Sequence, residues 1–147
     1  MKRSALSAAL LGAAALAGSA GGATPPGQIR ITDLQTSYNF VKARKGNYAG
    51  SLEIVKQRLF NPSVSSKPIG NASLVCTFLD RRTRSCSGTY VLPRGSLVVG
   101  GVIQTRLLYE IAVVGGTGLY DNARGSLTVT STHLRPRREV LLFRLTG

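Results

Sequence analysis

Eight stretches rich in Val, Ile, Thr, Tyr and Phe follow one another along this chain, and that succession constrains the fold more than anything else. They cover about residues 29–40, 50–60, 71–80, 84–92, 95–104, 107–114, 123–133 and 139–146. The breaks between them, such as KARKGN, DRRTR, PRG and LRPRR, are made of turn formers and charges. Alternation is clear near the C-terminus, where Leu127 and Val129 share one face and Leu141, Phe143 and Leu145 share another. No amphipathic helical period follows residue 23. Short antiparallel strands on tight turns remove their edges by closing, which predicts an all-β, eight-stranded antiparallel barrel; a β-sandwich is the alternative. LVVGGVI and LLYEIAVV are apolar on both faces, as expected of strands covered from outside by a neighbouring subunit.

The first 23 residues are of a different kind. Lys2 and Arg3 precede an Ala/Leu-rich run over 5–17, and small residues follow up to Ala23. These are the parts of a cleavable secretory leader, and the apolar run is too short for the roughly 20 residues of a bilayer span. The expectation is a signal peptide over 1–23, a single barrel domain over 24–147, and a secreted product, extracellular or periplasmic. No membrane span is expected. The formal charge of +13 favours anionic partners, among them an anionic cell envelope. Nucleic acid is not expected, because no aromatic residues are interleaved with the basic clusters and no recognition helix is present. In an exported chain Cys76 and Cys86 are expected to pair across a hairpin, contributing roughly 2–3 kcal/mol. With one histidine, His133, and no ligand cluster, neither a metal nor another cofactor is expected.

The stretch AVVGGTGLYDNARG, residues 112–125, poses a sharper question, since glycine-rich loops often hold phosphate. A dinucleotide loop needs Gly-x-Gly-x-x-Gly running into a helix. Here the third glycine is missing after Gly116 and Gly118, no Gly-Lys-Ser/Thr follows, and the next element reads as a strand. The glycines are expected instead to supply positive-φ turn and bulge positions where a strand reverses.

VVGGTGLYDNARG resembles the signature turn of plant dirigent proteins. GNASLVC, SCSGTYVLPRGSLVVGG and AVVGGTGLYDNARG, taken in order over residues 70–146, resemble the allene oxide cyclase-like barrel family with its exported bacterial members. The resemblance implies a calycin-type eight-stranded barrel, often trimeric, whose hydrophobic cavity holds a small molecule and directs its cyclisation or coupling. Such a protein would be an isomerase or cyclase, or a dirigent-type auxiliary. The other reading is a non-catalytic carrier, or a basic protein held at the envelope.

Allene oxide cyclase carries a carboxylate and an amide two residues apart on its first strand and a cysteine on the third. Asp33, Gln35 and Cys76 are similar in placement, with Asp and Gln where the cyclase has Glu and Asn. Spacing of two puts Asp33 and Gln35 on one strand face, where a desolvated carboxyl could move a proton. Pairing with Cys86 would remove the Cys76 thiol. The dirigent Arg carries over as Arg124, which could stabilise a phenolate or serve as a fork on the turn carbonyls. Tyr90, Tyr109 and Tyr120 are candidate cavity hydroxyls. Glu110 is a candidate buried acid or a salt-bridge partner, and Glu53 is similarly ambiguous.

Overall fold

A computed structural model describes residues 27–43, 48–62, 67–132 and 136–146. The expected leader and His133 lie outside the described residues. The strands are β1 (Gln28–Val41), β2 (Leu52–Phe60), β3 (Gly70–Phe78), β4 (Thr83–Leu92), β5 (Gly95–Gln104), β6 (Leu108–Gly118), β7 (Arg124–Ser131) and β8 (Arg138–Thr146). Each pairs antiparallel with the next, and β1 pairs with β8 from Gln28↔Arg144 to Leu34↔Arg138, so the barrel closes. No helix of the described residues is long and apolar enough to cross a membrane.

Period-2 alternation sends one row of each strand inward, and this interior has two chemically distinct ends. At one end it is filled by Leu59, Leu97, Leu127, Leu141 and Phe143, all fully buried, with Tyr90 edge-on to Phe143 at 5.2 Å between ring centroids. Burying each such aliphatic side chain contributes roughly 1.5–3 kcal/mol. Toward the other end the inward row turns polar: Asp33, Glu53, Gln57, Arg84, Ser131 and Glu139 are all buried there.

Two bulges set which side chains face inward. In β1, Gln35 pairs with Gln57 but Ser37 pairs with Lys56, leaving Thr36 as the extra residue. Beyond it the inward row moves from odd to even positions, and Tyr38 and Phe40 come opposite Val55 and Glu53 at the barrel mouth. In β6 the extra residue is Val114, since Val99 pairs with Val113 and Val98 with Gly115.

The glycines of the 112–125 stretch therefore extend β6 and then turn it. Gly118 has φ 64° and Asn122 φ 60°, both in the left-handed region expected of a turn. Gly116 is required for space, because a Cβ there would sit 2.1 Å from the Tyr120 carbonyl oxygen. No phosphate cradle results, since β7 follows directly.

The outward faces of β5 and β6 are apolar, as the sequence indicated, and in the single chain they are uncovered. Val102 is 61 % exposed, Leu108 59 % and Val114 46 %.

Candidate active site in the barrel mouth

The barrel opens at the end where β1 finishes and β2 begins. A basin of about 640 Å³ lies there between Tyr38, Phe78, Thr105 and Pro136. It narrows to an inner chamber of about 30 Å³ walled by Val55, Leu74, Ile103, Tyr109 and Cys76. Gln35, Glu53, Arg84 and Arg137 line both. The chamber has room for a water-sized group or two, and the basin for the body of a small molecule. The walls are mixed, apolar deep inside and polar at the level of the arginines.

Glu139 forms the polar floor of the chamber. Its Oε1 accepts from Ser131 Oγ at 2.6 Å and is ion-paired with Arg137, whose Nε lies 3.0 Å away, and its Oε2 accepts from Gln57 Nε2 at 3.1 Å. Asp33 is its direct partner across the β1–β8 ladder. Asp33 is fully buried and receives one donor only, the Glu139 backbone N–H on Oδ1 at 2.9 Å. Its Oδ2 has no partner. Burial, and then the facing Glu139 carboxylate, push the Asp33 carboxyl up to about 8. Two carboxyls this close cannot both ionise cheaply, and Asp33, with a single donor, keeps its proton. Burial also raises the phenols of Tyr90 and Tyr109, so both are neutral donors.

One layer nearer the mouth, Glu53 and Arg84 form a buried ion pair through Nη1, while Arg84 Nε has no partner. Arg84 also lies 5.8 Å from the Phe78 ring centroid. Phe40, Tyr48 and Phe78 form an aromatic cluster with centroids 5.6–6.2 Å apart, and Arg81 lies 5.9 Å from the Tyr48 ring centroid. Aromatic rings and bases, distant in sequence, thus meet at the mouth.

Of the residues singled out from sequence, Asp33, Gln35, Cys76 and Tyr109 come together here. Cys76 is bonded to Cys86, its direct register partner, so it contributes an apolar wall and no thiol. Tyr90 is buried in the core beside them. Arg124 does not join them: it is exposed at the opposite end, donating from Nη1 to the Ala123 carbonyl at 3.1 Å as a fork on the turn. Tyr120 is buried at that same far turn, and Glu110 is exposed on the outer face of β6. Both are off the cavity because of their strand phase and their end of the barrel. Sequence reasoning missed Glu139, Arg84, Gln57 and Arg137. Glu139 could have been found, since it continues inward the period of Leu141, Phe143 and Leu145.

This closed, eight-stranded antiparallel barrel has the fold of dirigent and cyclase barrels. The structural neighbours bear this out. A pyocyanin demethylase structure aligns with TM-score 0.70 and 23 % identity over 81 % of this chain and 99 % of that one. The pterocarpan synthase dirigent protein GePTS1 aligns with TM-score 0.62 and 18 % identity over 82 % and 85 % of the two chains. The Diels–Alderase AbmU from Streptomyces koyangensis gives 0.59 and 15 % over 82 % and 69 %. At these identities the likeness is one of fold. No protein-family model and no curated protein matches the sequence.

Proposed function

We propose that this chain holds a small, largely apolar molecule in the barrel mouth and directs its cyclisation or coupling, with the Asp33–Glu139 pair moving a proton at the reacting group. The carrying observation is that pair: two buried carboxyls face each other across β1 and β8, Asp33 holding its proton, and Glu139 forms the floor of a chamber open to the basin. Glu139 is the group placed to touch a ligand. Asp33, wholly buried behind it, is a positioning residue that supplies the neutral acid of the pair. Gln35 on the wall can orient a ligand oxygen or a water. Confinement does much of the rest, because holding a reactive intermediate in one conformation selects its product. Neighbours named for pterocarpan synthesis and for Diels–Alder chemistry support this reading without fixing the substrate. In this proposal the mature protein, freed of the leader expected over 1–23, works outside the cytoplasm as a trimer joined through the apolar faces of β5 and β6.

Native mass spectrometry of the mature protein, exposed to a lipid and phenolic extract of its host, tests the reading. The expected result is a trimer carrying an added small mass that is lost on unfolding. Val55→Phe, which fills the chamber from β2, should lose that mass while keeping the fold. A protein that stays bare, or a Val55→Phe variant that binds equally well, would contradict it.

A further inference from the structure

The mouth of the barrel carries a charge pattern that the proton chemistry does not use. Inside, each base has an acid beside it: Arg84 faces Glu53, and Arg137 faces Glu139. On the rim this does not hold. Lys42, Arg81, Arg82 and Arg106 are all exposed at the strand ends and loops of this end. The exposed acid among them, Asp80, is tied into its own turn by the backbone N–H groups of Arg82 at 2.7 Å and Thr83 at 2.9 Å. A cleft with an uncompensated cationic rim and low-dielectric walls concentrates anions at its entrance.

Two features say what kind of anion. The entrance wall is aromatic: Tyr38, 47 % exposed, and Phe78 line the basin, and Phe40 and Tyr48 pack on Phe78. Rings offered face or edge to a basin of about 640 Å³ suit a flat, conjugated body. Behind that wall Arg84, nine-tenths buried, leaves Nε unpartnered, and Arg137, at 40 % side-chain exposure, stands beside it on the basin wall. Guanidinium groups in a partly desolvated site favour carboxylate, phenolate or sulfonate oxygens over neutral ones.

We infer that the ligand of this barrel is a planar aromatic anion, its ring system against Tyr38 and Phe78 and its acid group on Arg84 and Arg137. This rests on the cavity reading above and adds the ligand's charge and shape. A matched pair of fluorescent probes separates the two ideas: 1-anilinonaphthalene-8-sulfonate, and N-phenyl-1-naphthylamine, which has the same rings without the sulfonate. Both are titrated into the mature full-length protein, its Val55→Phe variant and its Arg137→Gln variant.

The inference predicts that the sulfonate binds at least about tenfold tighter than the neutral probe. Val55→Phe should weaken both probes, and Arg137→Gln should remove most of the difference between them. Equal affinities for the two probes would overturn the inference and leave the cavity reading standing. Sulfonate binding indifferent to Val55→Phe and released by 0.5 M salt, with no binding of the neutral probe, would place the anion on the outer rim and overturn both.

Discussion

Asp33 and Glu139 sit opposite each other across β1 and β8 with unequal shares of hydrogen-bond donors, and in the proposed function that inequality makes them the pair that moves a proton. It also has a cost that can be measured. Because the folded Asp33 holds its proton up to about 8 rather than the usual 3.8, the folded state binds more protons than the unfolded chain between those values. Stability from this residue is therefore complete below the usual carboxylate range and falls as pH rises toward 8. Asp33→Asn keeps the shape without the titration. Urea melts of the two proteins should show a stability difference in favour of the variant that grows from pH 4.5 to pH 8 by a few kcal/mol. A difference that stays flat with pH would mean that Asp33 is ionised in the fold. Asp33 and Gln35 were legible in the sequence because a spacing of two puts residues on one strand face, whatever the strand's partners. Arg84 was not, because a basic residue beside Arg81 and Arg82 reads as part of a hairpin tip. Only the pairing of β4 with β3 and β5 turns it inward with Cys86.

At the scale of strands, the sequence located every element to within a few residues, since turn formers punctuate the chain sharply. It did not show where the alternation slips. The extra residues Thr36 and Val114 have no compositional mark, yet the first brings Tyr38 and Phe40 to the mouth and the second turns Gly116 inward. The resemblance carried Arg124 toward chemistry for the same reason: a motif preserves order along the chain, while the end of the barrel is set by pairing. Gly116 offers a direct check on the β6 turn. Gly116→Ala places a methyl 2.1 Å from the Tyr120 oxygen and 2.9 Å from that of Ser96, both backbone atoms that cannot step aside. The expected loss is roughly 1–3 kcal/mol in denaturant unfolding, with the mouth chemistry unchanged in whatever fraction folds. A neutral substitution would show that the turn is not packed as described.

The whole molecule is organised by one asymmetry. Its interior is apolar at the Gly-rich end and polar at the mouth, while its outside is apolar over β5 and β6 and cationic around the entrance. In the proposed function the three surfaces have separate roles: the core holds the barrel shut, the apolar flank joins other copies, and the charged mouth receives the ligand. Composition alone gave the charge and its sign, but not which cations ring the end that opens. All of it turns on whether the buried acids and the ligand meet. Carboxyl-carbon NMR of the protein labelled at Asp and Glu, followed across pH with and without the bound molecule, tests this most directly. The account predicts that Asp33 titrates near pH 8 and that Glu139 shifts when the cavity is filled. An Asp33 that titrates in the ordinary carboxylate range, with neither resonance responding to ligand, would contradict it.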